Sequence, residues 1–63
     1  MGVRLSWRNV FECKTPGERI WIAAEKARAA DYPFMVHNNR VYEVPSASGA
    51  DPLDTGLTIE DVQ

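Results

Sequence analysis

A single cysteine, Cys13, and a single histidine, His37, stand in a chain of 63 residues. A chain of this length buries only about 60% of the surface its unfolded form exposes, so its core is marginal. Domains this small usually rely on disulfides, a metal or a partner. One cysteine rules out an intrachain disulfide, and one cysteine with one histidine cannot close a tetrahedral zinc site. What remains is an economical core, a protein partner, or both. The expectation is one domain with no metal, no cofactor and no small-molecule substrate.

The pattern along the chain is that of a small α+β protein. Val3, Leu5 and Trp7 alternate with Arg4, Ser6 and Arg8, the period of two of a half-buried strand. Val10, Phe11 and Cys13 extend it as one long irregular strand, in preference to a turn at Arg8-Asn9 and a second short strand. Trp7 is expected in the core. Thr15-Pro16-Gly17-Glu18 then predicts a helix start, with Thr15 as N-cap, Pro16 at the first helical position and Glu18 completing a capping box. The helix carries a stripe of small residues, Ile20, Ala23, Ala24, Ala27 and Ala30. Pro33 disfavours helical geometry at Tyr32, which ends it near Asp31.

Phe34–His37 and Arg40–Val44 flank Asn38-Asn39, and asparagine tolerates the positive φ of a tight hairpin turn. In that register Val36 faces Val41 and Phe34 faces Glu43 on a core side. Met35 pairs with Tyr42 and His37 with Arg40 on a side expected to be exposed. The predicted body, residues 1–44, is thus β-α-β-β: a three-stranded sheet with one helix on a face. The first strand is placed parallel to Phe34–His37 in slight preference to pairing with the second hairpin strand.

Residues 45–63 are expected to be a linker followed by a flexible acidic arm. Pro45 to Pro52 is linker chemistry, and Leu53, Leu57, Ile59 and Val62 recur among acids. Thr58 and Asp61 are spaced to cap a single turn of helix, but no stable element is expected there alone. All seven Lys and Arg fall before residue 45, beside five Asp and Glu, so the body is +2. The other four of the nine acids make the arm −4, and the net charge is −2. Oppositely charged halves point to an acidic segment that lies on its own body or on a basic partner.

The motifs of catalysis are missing from the sequence: there is no phosphate loop, nucleophile elbow or metal-binding pair. Cys13 and His37 as nucleophile and base give way to a buried thiol and a solvated hairpin imidazole, so the expectation is not an enzyme. Arg4, Arg8 and Arg40 share one face if the first strand pairs beside the hairpin, and with His37 they are the candidate basic patch for nucleic acid. The negative net charge disfavours nucleic acid, whose binding needs several phosphates neutralised together. No apolar run approaches the roughly 20 residues that span a bilayer. The candidate protein-interface residues are Trp21, Met35, His37, Arg40, Tyr42 and Val44 on the body, and Leu53, Leu57, Ile59 and Val62 on the arm, because aromatic and apolar groups beside arginine mark interfaces.

From Ala23 to Val44 the chain resembles small bacteriophage proteins, virion-associated ones among them. In these an Ala- and Lys/Arg-rich helix runs into a hairpin of the form F-x-W-N-G-x-x-Y. The matching segment is Met35-Val36-His37-Asn38-Asn39-Arg40-Val41-Tyr42. Asn38 and Tyr42 agree outright, while Met35, His37 and Asn39 stand where an aromatic, Trp and Gly are usual. The resemblance implies a structural or accessory virion component, in a tail, connector or capsid, that binds other subunits or copies of itself. Without it, the expected setting is the cytoplasm, and the alternative role is a small regulator that binds and inhibits a cellular protein. A winged nucleic-acid binder stands third.

Overall fold

The computed structural model describes residues 5–13 and 17–63. Val3 and Arg4 of the expected first strand, and Thr15 and Pro16 of the expected helix cap, lie outside them. The chain is a small α+β fold with five regular elements among the described residues. They are β1 (Val10–Glu12), α1 (Ile20–Ala29), β2 (Phe34–His37), β3 (Arg40–Glu43) and β4 (Leu53–Thr58). The strands form one mixed sheet in the order β1-β2-β3-β4.

β1 runs parallel to β2, with Val10 beside Phe34 and Glu12 beside Val36. The parallel arrangement is the preferred one, but later residues supply the strand. Ser6 is the reason. Its Oγ accepts the Arg8 N–H at 3.2 Å, and its carbonyl accepts the Asn9 N–H at 2.9 Å. These bonds wind Trp7–Asn9 into a 3-10 turn and break the alternation. Trp7 therefore leaves the core and is 40% exposed.

α1 begins at Ile20 behind Arg19, which makes no side-chain cap. Glu18 precedes the helix and accepts hydrogen bonds elsewhere, so it is no capping-box residue. The other end matches expectation. Asp31 adopts φ 67°, its N–H bonds the Arg28 carbonyl, and the Tyr32 N–H bonds the Ala27 carbonyl at 2.9 Å. This is a Schellman termination with aspartate in the left-handed position, set just ahead of Pro33.

The hairpin register is the predicted one: Val36 with Val41, Met35 with Tyr42, His37 with Arg40. Asn38 and Asn39 take φ 51° and 66°, the two positive values a type I′ turn requires.

The sheet has four strands, where the sequence suggested three. Leu53–Thr58, expected in a flexible arm, pairs antiparallel with β3. Arg40 faces Thr58 and Tyr42 faces Asp54, so β4 carries two more residues than β3 between matched positions. Gly56, at φ 82°, absorbs the bulge. Thr55 Oγ1 donates to the Val41 carbonyl at 2.8 Å and bridges the interrupted ladder. Beyond β4, the Thr58 N–H donates to the Asp61 carboxylate at 2.9 Å, closing the 3-10 turn Ile59–Asp61. Val62 then forms a parallel bridge with Leu5. The Trp7 N–H reaches the Gln63 carbonyl at 2.8 Å, and the Gln63 N–H reaches the Leu5 carbonyl at 2.7 Å.

Both faces of the sheet are therefore covered. On one, Leu5 and Val62 join Val10, Val36 and Val41 in a buried aliphatic layer, with Phe34 and Leu57 at its margin. On the other, α1 lays Ala23, Ala24 and Ala27 against Met35. This second face carries Met35 and Tyr42 and was expected to be open. The small alanine side chains let the helix approach until Met35 is fully buried.

Candidate functional site

The residues singled out in the sequence scatter over the structure. Met35 and Val62 are buried, which corrects their reading as interface residues. Tyr42 and Val44 are half-buried and pack against the Met35–α1 layer, and Leu57 packs against the aliphatic one. Arg40 is exposed, with Nη1 3.4 Å from Asp54 Oδ2. Trp21 is 54% exposed on the first turn of α1, and Leu53 is 64% exposed at the start of β4. Ile59 is also exposed. No single surface gathers these residues.

His37 belongs to a clasp centred on Glu18. The His37 imidazole Nε2 donates to the Glu18 carbonyl at 2.5 Å, and its ring meets Tyr42 edge-on at 6.4 Å. The Glu18 carboxylate accepts from Lys26 Nζ at 2.5 Å and from Cys13 Sγ at 3.3 Å. The Lys26 ammonium, and after it the Cys13 thiol, holds the Glu18 carboxyl below its ordinary value. Glu18 in turn raises Lys26. Cys13 and His37 thus both engage Glu18, which ties the segment before α1 to the helix and to the hairpin. Among the described residues no three His, Cys, Asp or Glu side chains converge as a metal site, and no helix is long and apolar enough to cross a membrane.

Two hollows that share Tyr32 lie beside the sheet, one at the β1 edge and one at the ends of β2 and β3, and of the candidate interface residues only Val44 lines either. A pit of about 390 Å³ is lined by Trp7, Val10, Phe11, Glu12 and Tyr32. A second, larger groove of about 560 Å³ is lined by Tyr32, Pro33, Phe34, Val44 and Pro45. Tyr32 lines both. Its ring meets Phe11 edge-to-face with centroids 5.6 Å apart, a favoured aromatic geometry. Local sequence explains how each part gets there. The Ser6-capped turn turns Trp7 out, and the Schellman end of α1 delivers Asp31 and Tyr32 beside β1. The Val44 N–H bonds the Pro33 carbonyl at 2.9 Å and holds the far wall.

The charges around these hollows are one-sided. Glu12, Asp31 and Glu43 line them and are exposed. The ion pairs among the described residues use other acids: Glu18 with Lys26, Glu25 with Arg28, and Asp54 with Arg40. The one basic lining residue, Arg28, donates to Glu25 at 2.6 Å. The smaller hollow thus sets Glu12 beside an aromatic floor, and the larger one sets Asp31 and Glu43 beside aliphatic residues; none of the three carboxylates has a cationic partner among the described residues. Three separate segments contribute them, so no local motif announces the cluster.

Compared with known protein families, with curated proteins and with solved structures, the chain has no match.

Proposed function

We propose that this protein is a non-enzymatic docking module that seats on a larger protein assembly, and that the contact is made at the β1 edge. The observation that carries this reading is the exposure of Trp7 beside the Phe11–Tyr32 pair. Tryptophan and tyrosine at an open concave surface supply large contact area at low entropic cost and dominate binding hot spots. The hairpin resemblance to small bacteriophage proteins makes a virion component the proposed setting. The clasp around Glu18 is assigned a structural part, since its thiol and ammonium bind the Glu18 carboxylate and its imidazole binds the Glu18 backbone carbonyl.

Isolation of the native protein with whatever it assembles on, followed by quantitative mass spectrometry, tests this reading. A fixed molar ratio to one or more particle subunits is the expected result. Recovery of the chain only as a free monomer contradicts it. A second reading, a small regulator that binds one cellular protein, draws support from the way the N- and C-terminal segments cover the sheet. A chain that seals its own aliphatic layer is suited to life as a soluble monomer, and a one-to-one complex with a single enzyme or receptor is what that reading expects.

A further inference from the structure

Resting on the docking role just proposed, we infer that the larger hollow takes an arginine side chain of the partner protein. Its apolar wall is built from Tyr32, Pro33, Phe34, Val44 and Pro45, and its two acids are Asp31 and Glu43. Both acids are exposed and have no cationic partner among the described residues. The one base in the wall, Arg28, is already engaged: its Nη2 donates to Glu25 Oε1 at 2.6 Å. The other Glu25 oxygen accepts the Gly49 N–H at 3.3 Å, which tethers the chain just beyond Pro45 and Ser46 of the same wall.

The two acids sit on fixed backbone. Asp31 holds the left-handed position that ends α1, with its N–H on the Arg28 carbonyl at 3.0 Å. Glu43 lies opposite Phe34 in the β2–β3 ladder, and the next amide, that of Val44, bonds the Pro33 carbonyl at 2.9 Å. A site carried on backbone held this way loses little freedom when a cation arrives. The hollow also lies at the C-terminal end of α1, where the helix dipole favours positive charge. A guanidinium suits it better than an ammonium. It is planar and weakly hydrated, so it packs on aromatic rings while its fork of N–H groups meets carboxylates. Its methylene stem covers apolar surface of the kind the two prolines supply. The smaller hollow offers a single carboxylate, Glu12, and is the poorer seat for a cation.

Isotope-labelled protein is titrated with a blocked peptide carrying one Arg between Val residues, and binding is followed by NMR. Control peptides replace the Arg with Lys, with its uncharged isostere citrulline, or with Glu. The Arg peptide is expected to bind most tightly, with shifts centred on Asp31, Tyr32 and Val44. The Lys peptide binds more weakly, and the citrulline and Glu peptides do not bind. Neutralising both acids in Asp31→Asn/Glu43→Gln should weaken the Arg peptide roughly tenfold. Asparagine also tolerates the left-handed position, so this variant keeps the fold, which its amide spectrum checks; the citrulline control decides the same question on the wild type. Equal binding of the citrulline peptide, undiminished affinity in the double variant, shifts centred on Trp7 or Trp21, or no binding at all overturns the inference. So does tighter binding in Arg4→Gln/Lys14→Gln, because a base of the chain itself is then the occupant. A dimer of the unliganded protein that Asp31→Asn/Glu43→Gln abolishes overturns it too, because a second copy then fills the hollow. A double variant that keeps full stoichiometry in the native assembly removes the hollow's part but leaves the docking role. A wild type that prefers the Arg peptide but joins no assembly leaves the hollow and removes that role.

Discussion

The two covers of the sheet solve the same problem with different materials. On the helix side, three alanines and one methionine suffice, because small side chains bring a helix close and Met35 fills the gap between. On the other side, five aliphatic residues are buried, and two of them come from segments flanking the sheet, Leu5 before β1 and Val62 after β4. The helix cover is local and built from one element. The aliphatic cover is long-range and exists only when the N- and C-terminal segments meet. The difference teaches where such a short chain finds its buried area: it recruits its C-terminal residues instead of lengthening its helix.

Removing residues 53–63 breaks this arrangement most severely. The sequence alone predicts that the body's circular dichroism survives loss of everything after residue 45. The structure predicts the opposite, because β4 and Val62 go together, and a domain this small has only about 3–5 kcal/mol in reserve. The truncated chain is expected to show no cooperative unfolding transition. Next in size, Met35→Ala is expected to cost about 2–5 kcal/mol in denaturant unfolding, as a buried methionine with a helix seated on it should. Val41→Ala, buried in the aliphatic layer, should cost about 1.5–3 kcal/mol. A smaller loss for Met35 than for Val41 would mean that the helix cover is loose. Ala27→Leu should destabilise by about 1–3 kcal/mol through overpacking. At the margin of the other layer, Leu57→Met should cost less than about 1.5 kcal/mol.

The smallest effect lies in the clasp. The Glu18 carboxyl is held below its ordinary value of 4.5, chiefly by Lys26. Its stabilisation is therefore complete above that value and is lost as pH falls through the lower folded value. Lys26 is raised above 10.5, so its share is complete below 10.5 and is lost as pH rises through the higher folded value. Glu18→Gln should flatten both limbs of a stability-against-pH curve. If the acid limb is unchanged, the clasp contributes nothing.

How much of this was legible in the sequence depended on whether the signal was local. Asn38-Asn39 set the hairpin register, Pro33 set the helix end, and the Thr58–Asp61 spacing anticipated the C-terminal turn, because each is a contact within a few residues. The fourth strand was hidden by its bulge: Leu53-Asp54-Thr55-Gly56-Leu57-Thr58 breaks the period of two where Gly56 turns. The closed second face was hidden because Met35 and Tyr42 look equally suited to a core or an interface, and an alanine stripe does not say which side of a sheet it will meet. Trp7 was misplaced because a single Ser6 side chain outweighed an alternating pattern. Of the groove, Val44 alone was among the residues the sequence singled out. Glu12 comes from β1, Asp31 from the helix end and Glu43 from β3, and only the β1–β2 and β2–β3 pairings bring their two hollows side by side at Tyr32.

Amide hydrogen exchange on the isolated protein bears most directly on whether the C-terminal segment belongs to the fold. If it does, the amides of Trp7, Ile59 and Gln63, bonded to Gln63, Asn39 and Leu5, exchange slowly and on the same scale as those of β2 and β3. Exchange of Ile59 and Gln63 at unstructured-peptide rates would show the last residues to be a free arm. The docking surface would then have to be sought there instead of at the β1 edge.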